Sequence, residues 1–131
     1  VQGLADQTAT FELWMRRLPG CRNYLVAAGL EQAVHYLQNL SFAREQIDYL
    51  RQHPVFRNVP ADWFERLARF RFEGDVWAVP EGTIVFAGEP LLRVRGPLTA
   101  VQIIETYLIT TLTVQTLVAS KAASQSIVSA V

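Results

Sequence analysis

Cysteine is almost absent from this sequence: Cys21 stands alone among 131 residues. A single thiol makes no intrachain disulfide and no cysteine-based zinc site, which suits a reducing compartment and a cytoplasmic location. Charge is scarce as well, at 18 % of residues against roughly 25 % in an average soluble domain. Twelve basic and twelve acidic residues cancel, so the excess positive field used to bind nucleic acid is missing. Eleven of the twelve basic residues are Arg, a bias that also follows genomic base composition and carries little weight. The deficit in charge is uneven. From Thr106 to Val131 the only charged side chain is Lys121. A domain of this size has too much surface to keep such a stretch dry unaided, so further protein is expected against it.

Other absences remove whole classes of chemistry. The seven glycines form no GxGxxG and no P-loop, so no loop here would hold a nucleotide by itself. His35 and His53 are the only histidines, with no HxxxH and no flanking carboxylate cluster, and no metal site is expected. His35 lies four residues after Glu31, the spacing of a solvated ion pair on a helix. Cys21 sits between Gly20 and Arg22 without a cue for a histidine base, and there is no nucleophile elbow. The apolar run between Glu105 and Lys121 is fifteen residues long and includes five Thr, one Gln and one Ser, short of the roughly 17–25 residues of a membrane helix. No membrane span is expected. The stretch Val1–Asp6 has no basic flank and no apolar core, so it is not a signal peptide and is expected to lie inside a longer chain.

What is present suits one α+β domain. Half the residues are apolar, enough for a core. Thr8 to Leu18 begins by alternating, with Phe11, Leu13 and Met15 on one side, which predicts a half-buried strand ending at Pro19-Gly20. Leu30, Ala33, Val34, Leu37 and Leu40 follow helical spacing. Ser41 can cap a second helix from Phe42 to about Gln52, stopped by His53-Pro54, and Pro60 opens a third with Trp63, Phe64, Leu67 and Phe70 inward. Asp75–Val79, Thr83–Ala87 and Leu91–Arg95 then read as a compact meander, with a type I turn across Val79–Gly82. After Gly96-Pro97, more than thirty residues without Gly or Pro argue for a long helix, with a break near Ser120. The predicted organisation is 1–97 as the α+β domain, helices packed on a small mostly antiparallel sheet, and 98–131 as a helical segment leading out of it.

Several residues invite a chemical reading. Arg93 and Arg95 share one side of a strand and could take an anion, though a solvent-facing pair is commoner. Arg66 and Arg69 share a helix face near Trp63 and Phe70, where stacking on an aromatic ring is the ordinary role. A carrier domain would present a Lys at a hairpin tip, but the tips here carry Glu81 and Glu89. Glu105, if buried, would need a cationic partner or a helix N-terminus.

The chain resembles the nicotinate phosphoribosyltransferase family. The likeness begins at Phe11-Glu12-Leu13-Trp14-Met15-Arg16-Arg17-Leu18-Pro19 and continues through Tyr24-Leu25-Val26-Ala27-Ala28-Gly29-Leu30-Glu31. It is strongest in Gly74-Asp75-Val76-Trp77-Ala78-Val79-Pro80-Glu81-Gly82-Thr83 and Glu89-Pro90-Leu91-Leu92-Arg93-Val94. It then reaches Glu105-Thr106-Tyr107-Leu108 and Val118-Ala119-Ser120-Lys121-Ala122-Ala123. The related quinolinate enzyme shares the plan but has Arg after the helix Glu, where this chain has Thr106. In the final motif Ser124 stands where the family often has Arg.

This resemblance implies the amino-terminal part of a type II phosphoribosyltransferase, an enzyme that is a homodimer with an α/β barrel expected to follow. It implies a ligase-like glycosyl transfer in NAD biosynthesis, joining nicotinate to phosphoribosyl pyrophosphate with ATP and Mg. No catalytic residue of the family maps onto these residues. Glu105, Thr106 and Lys121 are the candidates for contact with substrate. The other class of reading is a non-catalytic interaction domain that keeps the fold.

Overall fold

The computed structural model describes residues 6–18, 20 and 22–129, the side chains of 126–129 excepted. Cys21 and Pro19 lie outside the described residues. Along the chain run β1 (Thr8–Trp14), β2 (Leu25–Val26), α1 (Leu30–Asn39) and α2 (Arg44–Gln52). A 3-10 turn (Pro54–Phe56), α3 (Ala61–Ala68), β3 (Asp75–Ala78), β4 (Ile84–Val85), β5 (Pro90–Pro97) and α4 (Leu98–Ser129) follow. The architecture is the expected α+β class. The chain forms two compact units, Val1–His35 with Glu73–Val131, and Tyr36–Phe72.

In the first unit β1, β5 and β3 make an antiparallel sheet in that order. Register follows alternation, since a slip of one residue would turn every apolar side chain outward. Phe11, Val94 and Val76 form one cross-strand row and Leu13, Leu92 and Ala78 another, while Glu12, Arg93 and Trp77 form a row on the other side. Leu92 and Val94 are buried, and Arg93 and Arg95 are exposed. Arg93 is tied to Glu12 by a 2.7 Å hydrogen bond from Nε, which at this exposure contributes roughly 0.2–1 kcal/mol.

The three runs of the expected meander are all present, but the middle one leaves the sheet. β4 pairs with β2, so β3 and β5 become direct neighbours. The turns also differ by one residue from the type I reading. Thr83 N–H donates to Pro80 O at 3.2 Å and Glu89 N–H to Phe86 O at 3.2 Å. Gly82 and Gly88 occupy the third turn positions with φ of +79° and +84°, the geometry of type II turns that only glycine adopts cheaply.

α4 is continuous from Leu98 to Ser129, without a break at Ser120. Its β-branched residues are outweighed by the absence of Gly and Pro and by a stripe that packs. Val101, Ile104, Leu108 and Leu112 are buried against β1 and β5. The stripe then turns polar with Thr116 and Ser120, both fully buried. Their hydroxyls meet the edge of β2. Val26 N–H donates to Ser120 Oγ at 2.8 Å, and Ala28 N–H donates to Thr116 Oγ1 at 3.1 Å. Thr116 Oγ1 in turn donates to Ala28 O at 3.2 Å. The helix therefore supplies what a neighbouring strand would have supplied. Ser120 and Ser124 also donate to the carbonyls one turn back, which keeps the helix whole while satisfying each hydroxyl. Leu112, inside the stretch against which further protein is expected, lies in this unit's own core. Ile109, Val114 and Val118 are the exposed large apolar residues of α4 among those described.

In the second unit α2 begins at Arg44 rather than after Ser41. Its start is tied by Gln46, whose Oε1 accepts the Ala43 N–H at 2.8 Å, so Ser41 is not the cap. Ile47, Phe64 and Leu67 are buried. Rings succeed one another from Tyr49 through His53, Phe56 and Trp63 to Phe64, with neighbouring centroids 5.1 to 6.3 Å apart. A guanidinium lies over a ring, that of Arg51 at 5.3 Å above Phe64.

Thr116→Val keeps the shape of the side chain and removes both bonds to Ala28. A loss of about 1–3 kcal/mol is expected, read as a lower thermal midpoint. An unchanged midpoint would show that water replaces the hydroxyl.

Candidate functional site

The best-built polar arrangement is the junction of α1 with the turn between β3 and β4, and its logic starts at Gly29. This residue has φ of +101°, and a Cβ there would stand 3.2 Å from Thr111 O and 3.3 Å from Gln115 on α4. Glycine is thus required at the residue before α1, where the Gly29 carbonyl accepts the first helical bond from Ala33 N–H at 3.0 Å. Such a cap position has no side-chain oxygen of its own. Glu81, in that turn, provides one from 52 residues away: it accepts Gly29 N–H at 2.9 Å and Glu31 N–H at 3.2 Å. The carboxylate also faces the positive end of the helix dipole. Gly82 N–H donates to Ala27 O at 2.8 Å and Ala27 N–H to Thr83 O at 2.9 Å, which fixes the turn in place. The Pro-Glu-Gly segment that carried the resemblance most strongly therefore has a structural role here.

The three candidates on α4 do not converge. Glu105 is half-buried and lines an apolar groove with Phe11, Leu13, Ile104, Leu108 and Ile109. Thr106 is exposed, and its carbonyl accepts from Thr110 Oγ1 at 2.8 Å. Lys121 is exposed and lies sixteen residues beyond Glu105, about 24 Å along the helix. Nearer the cap, Gln32 Nε2 donates to Tyr107 Oη at 3.1 Å, and Gln115 Nε2 donates to Gln32 Oε1. These amide contacts join α1 to α4, and sequence spacing gave no signal for them because they link residues more than seventy apart.

The remaining candidates are placed plainly. Arg93 is paired with Glu12. His53 Nδ1 accepts Val55 N–H at 3.4 Å and its ring contacts Tyr49 and Phe56, an ordinary turn-capping histidine. Glu89, in the turn between β4 and β5, accepts Phe86 N–H at 2.8 Å. Among the described residues no three His, Cys, Asp or Glu side chains come together as a metal site would require. A cavity of about 10 Å³ beside Glu81 and Thr116 has room for no more than a water. In the second unit an open depression is lined by Phe42, Ile47 and Ala68 with Arg44, Arg51, Asp48 and Glu65, charges of both signs.

These contacts define an α+β domain, in which the polar groups best held in place cap and join its own elements. Residues 1–113 match the family described as the nicotinate phosphoribosyltransferase (NAPRTase) N-terminal domain, and the chain belongs to that family. It is 40 % identical over 121 residues to nicotinate phosphoribosyltransferase of Bacillus subtilis, covering 92 % of this chain and 24 % of that protein. Nicotinate phosphoribosyltransferase pncB2 of Mycobacterium tuberculosis is 40 % identical over 116 residues, covering 88 % and 24 %. The crystal structure of human nicotinic acid phosphoribosyltransferase superposes with a TM-score of 0.84 at 36 % identity, covering 92 % of this chain and 24 % of that one. The chain spans about a quarter of the length of these relatives.

Glu81→Ala should lower stability by about 1–2 kcal/mol through loss of the cap. Glu81→Gln, which keeps an acceptor, should recover part of it. Equal thermal midpoints for all three proteins would show that the cap contributes nothing.

Proposed function

We propose that this chain is the amino-terminal scaffold of a nicotinate phosphoribosyltransferase, an enzyme that joins nicotinate to phosphoribosyl pyrophosphate with ATP hydrolysis to form nicotinate mononucleotide for NAD synthesis. The observation that carries the reading is extent. Identity of 36 to 40 % and a shared backbone run through nearly the whole chain, rather than through one short motif.

On this reading the 131 residues bring no chemistry of their own. The described residues offer no donor set for magnesium, and the sequence has no glycine-rich loop for the phosphates of ATP. Both ligands would be held by other parts of the parent protein, which is proposed to be a cytoplasmic homodimer. By length and composition Leu98–Gln125 could cross a membrane. Its contacts with β1, β2 and β5 support a core helix instead.

The test is an assay of pyrophosphate release with nicotinate, phosphoribosyl pyrophosphate, ATP and magnesium. The isolated 131-residue chain should give none, and a longer product of the same gene should give nicotinate mononucleotide. Turnover by the isolated chain would overturn the scaffold role. No turnover by a folded longer product would overturn the enzymatic reading.

A further inference from the structure

We propose that the groove between β1 and α4 receives an extended, basic strand from another part of the same polypeptide, hydrogen-bonded along the free edge of β1. This rests on reading the chain as part of a longer protein. β1 ends the sheet order β1-β5-β3, and among the described residues no strand pairs with its far side. Gln7 O accepts Leu98 N–H at 2.8 Å on the β5 side. Antiparallel alternation then turns the main chain of Ala9, Phe11 and Leu13 toward β5. It leaves the N–H and C=O groups of Thr8, Thr10 and Glu12 pointing away from the sheet. Natural edges are commonly blunted by proline, by lysine or by a bulge. The seven residues from Thr8 to Trp14 contain no proline and no lysine, and their irregularity falls only at the last step, Leu13/Trp14.

Beside this edge lies the groove of about 60 Å³ lined by Phe11, Leu13, Ile104, Leu108 and Ile109, with Glu105 among them. A strand added to β1 would send alternate side chains to the α4 side. The chemistry there asks for aliphatic residues and one cation. Glu105 is half-buried beside apolar groups, and no described group pairs with it, so a Lys or Arg on the incoming strand is its complement. A second copy's β1 does not fit, because Thr8–Trp14 has no basic residue and its one charge is Glu12. A strand from the same polypeptide does fit. The relatives are about four times the length of this chain, and a tethered segment binds at high effective concentration.

The experiment titrates the 131-residue chain with short overlapping peptides that tile the Bacillus subtilis relative outside its matched residues, following the fluorescence of Trp14 at the end of β1. One contiguous stretch with alternating aliphatic residues and a Lys or Arg should bind, more weakly at high salt. Binding should fall about fivefold in Glu105→Gln. It should be lost in Thr10→Pro, whose missing N–H faces away from β5. Amide exchange at Thr10 and Glu12, slowed by the bound peptide in the unmodified chain, gives the same answer should that variant fail to fold. The proposal is overturned if no tile binds, if Glu105→Gln binds equally well, or if an unrelated alternating Val–Arg peptide binds as tightly. Concentration-dependent dimerisation that protects the same amides would assign the edge to a second copy and overturn it too. A longer gene product that makes no nicotinate mononucleotide, with a tile still bound, would defeat the functional reading and leave the strand addition standing.

Discussion

The structure depends on α4 acting as a strand. β2 is only two residues long and pairs with β4 on one side, so its other edge would leave buried amides without partners. Thr116 and Ser120 answer that need from the helix, at positions one turn apart on the same stripe that buries Val101, Ile104, Leu108 and Leu112. One face of one helix thus packs the three-stranded sheet with hydrocarbon and completes the two-stranded sheet with hydroxyls. Had both hydroxyls been apolar, the helix would pack as well, but β2 would have no reason to lie there.

The position of α1 follows from the same helix. Because its entry passes so close to Thr111 and Gln115, the residue before it is glycine, and its cap arrives on the β3–β4 turn as Glu81. That turn is itself held by main-chain bonds to Ala27. Helix, strand edge and turn therefore form a closed circuit of contacts, each explaining why the next residue type is where it is. That circuit gives the strongest family motif, at the turn between β3 and β4, a structural role.

Local physics left a legible record in the sequence. Alternation at Phe11 and Leu13, helical spacing from Leu30, the proline stop at His53-Pro54, the proline start at Pro60, and the glycines of two turns each depend on neighbours a few residues away. The α+β class and the long last helix followed from these. The scarcity of charge beyond Thr106 led to the expectation of further protein against that stretch. Within the domain itself Leu108, Leu112, Thr116 and Ser120 are buried, while Ile109, Val114 and Val118 are exposed among the described residues.

Only the tertiary structure decided which polar groups answer one another. Glu81 and Gly29 are 52 residues apart, and Ser120 and Val26 are 94 apart, so no local period marks either pair. The same holds for β4, whose sequence suits a meander but whose pairing is settled by β2. It holds also for the separation of Glu105 from Lys121, which a motif count groups together and a straight helix holds about 24 Å apart. The sequence by itself determined which segments become strand or helix, because propensity and spacing act over a few residues. Which edges, caps and grooves those segments share was decided by packing, because a hydrogen bond or an apolar contact is satisfied by proximity in space, whatever the distance along the chain.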